Sequence, residues 1–537
     1  MGKYKILVLC VFTFLLATAV AWGVFEAVPH LEDEHVNFFQ AKVFAAGRIV
    51  NPAPEHNNSF YVPFVVTQDG KQFSKYPPGY SLVLAFGMLI HQPWLVNSLA
   101  AALGIFATFL LGRDLFNRDT GLLAAALGAI SPSFIMLSGT LLAHPVNLAV
   151  LTFFAWAFFR ARRPDEPRRA TFALAAGALM GLSFITRPWT SVAIGLPFAV
   201  LALVDLIRYR WAVLPLYLRM TLLFGVVSAI LPLYNLAATG SPFANTYTLW
   251  WPYDTVGFGP EIGRNGHTLQ KAMVNFRVDF PIFNETLLGW PVWLGIPVVW
   301  LVIGLGLFLP ERTKYDWLLL APPVALILAH MAYWAHSGGL YGTRYYAEGM
   351  PFLWILAARG LLKFGSTVFT RRLVKILLPV SIVWGIVFLT LPRFLEGHRL
   401  YDISRQDYKT IAASGIRNAL VIVQSQHWTD YANLSWLNPA DLDQGEVIFV
   451  KDHGPEVNEQ VIQAFPGREI YSYSRQHSRP LSRYPLQTGR TLPEAGAGAD
   501  HIQIPPTGLE EAGQRSWLSE LAENFMQLFG FQRPAGR

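Results

Sequence analysis

Long apolar runs separated by short polar connections fill most of the chain. A helix needs about 20 apolar residues to cross a bilayer. Runs at 6–25, 94–111, 121–137, 145–159, 171–185, 191–206, 212–237, 291–309, 317–334, 351–362 and 374–391 therefore predict about 11 spanning helices. Beyond 392 the pattern changes. Short runs at 419–424, 446–451 and 469–473 have the length and composition of strands, separated by turn-rich or helix-like stretches. They predict a soluble α/β domain over 393–537. After a Pro/Gly-rich linker at 492–507, Trp517, Leu521, Phe525 and Leu528 recur at helical spacing. This amphipathic helix over 515–531 packs either on its own domain or on lipid. Two connections, 26–93 and 238–290, are too long to be turns. The first contains a helix-like stretch at 35–46 and an apolar stretch at 80–90 that is too short to span and is expected at the membrane interface.

Composition agrees with this pattern: 53% of residues are hydrophobic and 14% charged, with a mean hydropathy of +0.34. An ordinary soluble domain carries about 25% charged residues, so a soluble globular protein is excluded. A formal charge of +7 invites a nucleic-acid reading, but the basic residues are spread between apolar spans rather than gathered on one face. They fall instead on alternate connections: Lys3 and Lys5, Arg113 and Arg118, the run at 160–169, Arg208 and Arg210, Arg312 and Lys314, and Lys363 with Arg371, Arg372 and Lys375. Cytoplasmic loops are enriched in Lys and Arg. The N-terminus is therefore expected in the cytoplasm, with 26–93, 138–144, 186–190, 238–290, 335–350 and everything past 392 outside. The first span reads either as a retained helix or as a signal peptide with an A-x-A site at 19–21; both leave the next connection outside. Cys10 is the sole cysteine, which rules out an intrachain disulfide and a cysteine zinc site.

Candidate chemistry lies in the outer connections. Glu32, Asp33 and Glu34 are consecutive carboxylates close to a span, and such a cluster is either a solvated helix cap or a functional group of altered acidity. Lys75 and Tyr76 precede a rigid Pro77-Pro78 turn, where the lysine either meets a phosphate or snorkels. His144, Arg187 and Arg344 occur where short apolar turns would suffice, and an arginine near a span calls for an anionic partner. Arg344 is flanked by Tyr345 and Tyr346. The aromatic-rich 238–290 connection includes Trp251, either an interfacial belt residue or a platform for a sugar ring. His30 and His35, or His330 and His336, lack the spacing of a helical zinc motif, and no phosphate-binding Walker loop occurs. Neither a metal nor another cofactor is expected to be required.

Taken in order, these pieces resemble a membrane glycosyltransferase of the GT-C class, and in particular bacterial relatives of protein O-mannosyltransferases and of lipid A aminoarabinose transferases. The resemblance rests on Asp33-Glu34, the run Gln40-Ala41-Lys42-Val43-Phe44-Ala45-Ala46-Gly47-Arg48, Lys75-Tyr76-Pro77-Pro78-Gly79, Ala143-His144-Pro145, Thr186-Arg187-Pro188 and Thr343-Arg344-Tyr345-Tyr346. It extends over roughly 5–362. It implies a polytopic α-helical fold in a bacterial inner membrane, with long outer loops forming the active site. A sugar would pass with inversion from a polyprenyl-phosphate donor to a hydroxyl of a lipid, glycan or protein. Asp33 would be the base with Glu34 beside it; Lys75, Arg344, Tyr345 and Arg187 would hold the donor phosphate. Glu32, Tyr76, His144, Trp251 and Tyr346 would contact acceptor or sugar. One departure is that many relatives carry an acidic residue where this chain has His144 and Asn147. The competing reading is a transporter or flippase of a lipid-linked glycan, which would place ionisable residues near the midplane.

Overall fold

The computed structural model describes residues 2–293, 296–310, 312–339, 341–475 and 480–485; the linker at 492–507 and the helix over 515–531 lie outside these residues. Each of the predicted spans contains a helix, but the helices differ in length and surroundings. Six are long and apolar enough to cross a membrane: Tyr4–Gly23, Leu95–Leu115, Arg169–Thr186, Pro188–Ala212, Leu214–Thr239 and Val368–Asp402. Arg118–Ala129 and Pro132–Ser138, bent by 65° at the break before Pro132, would make a seventh as a pair. The other predicted spans are helices of different character. Met350–Phe364 has 15 residues and is buried on all sides from Met350 to Leu361, as expected for a helix that is apolar all round and sits at the centre of a bundle. His144–Ala161 also packs inside, and Val298–Phe308 has only 11 residues. By contrast Ile376, Val380 and Val383 on Val368–Gly385 are largely exposed, as on a surface meant for lipid.

The connection after the first helix is folded rather than loose. The helix Glu32–Ala45 is followed by a three-stranded antiparallel sheet, in which Val65–Gln68 and Lys71–Ser74 form a hairpin with Gln68 opposite Lys71. Its two-residue turn, Asp69-Gly70, has positive φ at both positions, the geometry that matches strand twist and favours Asp-Gly. The short helix Gly79–Leu89 comes next and ends on exposed Phe86, Leu89 and Ile90. Gly79 is required here because a Cβ would lie 2.7 Å from the Ile185 carbonyl oxygen. Without a side chain there, the start of Gly79–Leu89 packs directly on the end of Arg169–Thr186.

Farther along, Ala419–Val423 is the buried strand of a four-stranded sheet, flanked in parallel by Val447–Lys451 and Glu469–Tyr473, with Leu481–Arg483 antiparallel at one edge. Its uninterrupted Ala-Leu-Val-Ile-Val reading is what a strand covered on both faces needs. Residues up to Tyr484 form one compact unit with the helices. Glu26 accepts a bond from the Arg405 amide at 3.0 Å, and Arg48 pairs with Asp441 at 3.1 Å.

Candidate active site

The first turn of Glu32–Ala45 carries Glu32, Asp33 and Glu34, where negative charge complements the helix dipole. Consecutive helical residues point about 100° apart, so the three carboxylates have different surroundings. Glu34 turns inward. It accepts bonds from the amides of His30 at 2.6 Å and Leu31 at 3.4 Å, and from the Leu141 amide at 3.2 Å. It thereby fixes the start of the helix to the 139–142 segment, and burial pushes its carboxyl up to about 7. Glu32 is half-buried, with its carboxyl also raised by burial. Asp33 receives a hydrogen bond from the Tyr76 hydroxyl and an ion pair from Arg344 at 3.1 Å. Burial pulls its acidity the other way, but Arg344, Tyr76 and Lys75 together outweigh that effect and hold the carboxyl below its ordinary range. Asp33 is therefore ionised at neutral pH.

Arg344 reaches Asp33 from the turn Arg344–Gly349. The preceding chain passes so close to Pro132–Ser138 that a Cβ on Gly342, where φ is +75°, would stand 2.7 Å from the Ser133 Cβ. The same turn supplies Glu348, which is fully buried. Its carboxylate accepts from Arg187 at 3.2 Å and from the Asn147 amide at 3.2 Å, and lies 3.3 Å from His144 Nδ1. Burial opposes ionisation there, but His144 and Arg187 hold Glu348 at about 2. The 138–144 connection, which ends on His144, is thus met in space by a carboxylate 201 residues beyond Asn147.

Lys75 follows the hairpin and is 3% exposed. Its ammonium pairs with Asp254 at 3.3 Å and sits 3.7 Å from the Phe64 ring centre and 4.3 Å from that of Trp251. Burial lowers its basicity while Asp254 and Asp33 raise it. Asp254 also accepts from the Tyr333 hydroxyl at 2.9 Å and the Trp334 indole at 3.1 Å.

These groups surround a cavity of about 280 Å³ lined by Asp33, Tyr76, His144, Arg187, Arg344 and Tyr345, together with Asp254, Tyr247 and Tyr333. Of the other sequence candidates, Lys75 and Trp251 lie one layer behind this lining, Glu34 is engaged by backbone amides, and Glu32 is not among the lining residues. Tyr346 is buried against Phe283 and His330. The sequence reading did not single out Asp254 or Glu348. Glu348 is the single carboxylate of its connection, a signal that was available, whereas Asp254 is one of four carboxylates in the aromatic-rich 238–290 connection. Among the described residues no group of three or more His, Cys, Asp or Glu is placed to hold a metal ion. Chemically, the cavity brings an ionised carboxylate beside two guanidinium groups: a proton acceptor next to a seat for an anion.

Residues 75–232 match the family model of dolichyl-phosphate-mannose-protein mannosyltransferases. No curated protein matches the chain. Among solved structures, ArnT from Cupriavidus metallidurans in the apo state is similar at 14% identity, covering 86% of this chain and 92% of ArnT, with a TM-score of 0.53. ArnT from the same organism bound to undecaprenyl phosphate is similar over the same shares at 14% identity, with a TM-score of 0.54. At this identity the likeness is one of fold, and the fold is that of the GT-C class.

Proposed function

We propose that the protein is a glycosyltransferase that takes a sugar from a polyprenyl-phosphate donor and passes it to an acceptor hydroxyl on the extracytoplasmic side of a bacterial inner membrane. The observation that carries this reading is the lining of one cavity by Asp33, Arg187 and Arg344. The match to a dolichyl-phosphate-mannose family over 75–232, and the shared fold with an ArnT that binds undecaprenyl phosphate, support a lipid-linked donor.

In this mechanism Asp33 accepts the proton of the acceptor hydroxyl as its oxygen bonds to the anomeric carbon. The bond from that carbon to the phosphate oxygen breaks, and its electron pair leaves on the lipid phosphate. A single displacement of this kind inverts the anomeric centre. The leaving phosphate is already a stable anion, so it needs cations rather than an acid. Arg187 and Arg344 serve that purpose, with Tyr345 beside them. Lys75, already paired with Asp254, acts from behind the lining by setting the local field. Tyr76 orients the base through its bond to Asp33. The reaction requires no metal ion.

The test is transfer by the purified full-length protein, using a panel of polyprenyl-phosphate sugars and acceptors beside Asp33→Asn. A folded variant with an unchanged rate removes Asp33 as the base. Exhaustive chelation should leave the rate intact, and loss restored by one divalent ion would overturn the metal-free step. Accumulation of a lipid-linked glycan in sealed vesicles without glycosidic bond formation would favour a transporter instead.

A further inference from the structure

The cavity beside Asp33 holds three hydrogen-bond acceptors that the fold leaves unanswered. Asn37 stands four residues after Asp33, one turn on along the same face of Glu32–Ala45, and lines the same cavity. It is 5% exposed. Its amide nitrogen donates to the Leu141 carbonyl at 3.4 Å, and its Oδ1 makes no hydrogen bond among the described residues. His330, at the end of Lys314–His330, is 8% exposed and stacks on Tyr345 with ring centres 5.3 Å apart. Its Nδ1 lies 3.0 Å from the Leu326 carbonyl oxygen, which can only accept. In the neutral ring Nδ1 then carries the proton and Nε2 keeps a free lone pair. His144, 3% exposed, turns Nδ1 toward the Glu348 carboxylate in the same way and leaves its own Nε2 without a partner among the described residues.

These three atoms are within reach of a ligand. Unbonded side-chain atoms sealed inside the protein include both ring nitrogens of His35, but neither Asn37 Oδ1 nor the Nε2 of His144 or His330, and all three of these residues line the cavity. Buried polar groups are nearly always bonded, so three acceptors opening on one cavity call for a ligand that brings several donors. Of the three residues, the sequence reading singled out only His144.

The charged groups narrow the ligand further. Each carboxylate around the cavity is engaged: Asp33 by Arg344 and Tyr76, Asp254 by Lys75, Tyr333 and Trp334, and Glu348 by Arg187 and Asn147. An ammonium on the ligand would find no carboxylate of its own, and burying an unpaired charge is costly. The same three carboxylates match the three cations, and a donor phosphate adds another negative charge, so a carboxylate on the sugar would meet repulsion. Uncharged hydroxyls are the donors left, and a sugar ring carries several on adjacent carbons. The donor's sugar has to stand in this cavity, because its anomeric carbon meets the hydroxyl that Asp33 deprotonates.

We infer that Asn37, His144 and His330 determine sugar specificity, their Oδ1 and Nε2 atoms each accepting a hydrogen bond from a hydroxyl of an uncharged donor sugar. The inference rests on the glycosyltransferase reading and adds to it the class of sugar and the residues that read it.

The experiment is calorimetry on the full-length protein in detergent. The probes are polyprenyl phosphate alone and polyprenyl-phosphate donors carrying gluco-, galacto- and manno-configured hexoses. For the tightest of these, donors lacking one ring hydroxyl at a time are compared, beside an amino sugar and a uronic acid of the same configuration. At least one neutral hexose donor should bind more tightly than polyprenyl phosphate alone and than either charged sugar. Loss of a hydroxyl that meets one of the three accepting atoms should weaken binding by about tenfold, the worth of one hydrogen bond. His330→Phe, which keeps a ring against Tyr345, and Asn37→Ala should each abolish the penalty for one hydroxyl and leave the others. A purely structural role would weaken all donors alike. The inference is overturned if no hexose donor binds more tightly than polyprenyl phosphate, if every deoxy donor binds the unaltered protein as well as its parent, if the folded variants retain every penalty, or if a charged sugar is preferred. In each of these cases binding of polyprenyl phosphate leaves the glycosyltransferase reading standing, whereas binding of no probe at all overturns both.

Discussion

One helix, Glu32–Ala45, borders two cavities, and the charges around them are held differently. Around its first turn three ion pairs gather: Asp33 with Arg344, Lys75 with Asp254, and Arg187 with Glu348 from the same turn that supplies Arg344. Around its later turns Lys42 instead donates to the carbonyls of Trp436 and Asn438, and Arg48 pairs with Asp441. Ion pairs in a partly dry site hold charge in place for a reaction that creates and moves charge. The comparison separates a place whose charges are held against one another from a place where a buried lysine rests on backbone carbonyls.

The largest effect expected is on the charged side. Asp33→Asn should lower the transfer rate by about 10²–10⁴-fold, the usual contribution of a general base. An unchanged rate, in a folded protein, would remove Asp33 as the base. Next in size is Lys75→Ala. Removing one partner of a buried pair typically costs about 3–5 kcal/mol, so this variant should be markedly less stable. Lys75→Ala combined with Asp254→Asn should recover much of that loss in thermal unfolding. Failure to recover it would mean that Lys75 stabilises the fold through its aromatic neighbours rather than its charge.

A smaller shift is expected for Arg344→Ala. With its strongest opposing cation gone, burial dominates at Asp33 and its pKa rises, so the acid limb of the kcat/KM profile should move to higher pH. An unmoved limb would assign that limb to another group. The smallest change concerns Glu348. Its folded pKa of about 2 lies below the ordinary value of about 4.3, so the stability it contributes is fully present above pH ~4.3 and is lost as pH falls toward 2. Glu348→Gln should flatten the stability profile in that window while leaving the neutral-to-basic range similarly shaped.

Much of the helical architecture was legible because a run of apolar residues has few alternatives to leaving water. The runs at 6–25 and 94–111 appear as Gly2–Gly23 and Leu95–Leu115. The strand runs at 419–424, 446–451 and 469–473 appear as three parallel strands. The hairpin around Asp69-Gly70 was legible in principle, through its turn dipeptide, but was not read. Length and charge content could not distinguish a lipid-facing helix from one packed in the centre, as Met350–Phe364 shows.

The candidate site was legible as fragments. Lys-Tyr-Pro-Pro-Gly and Thr-Arg-Tyr-Tyr each drew attention through costly polar residues beside apolar spans, and Tyr76 and Arg344 both meet Asp33. Nothing local distinguishes Asp33 from Glu34. The first faces a cation and a phenol, whereas the second is bonded by three backbone amides. Asp254 and Glu348 were invisible because their importance lies in Lys75, Arg187 and His144, residues far away along the chain.

The amino-acid order by itself determined which segments avoid water, where helices and strands begin, and which charged residues stand close to apolar spans, since these depend on neighbours along the chain. Tertiary structure alone decided which charges are paired, which polar groups remain unbonded and which side chains share a cavity. Coulomb interaction, desolvation and hydrogen bonding act through distances in space, and the fold sets those distances between residues that the sequence keeps hundreds of positions apart.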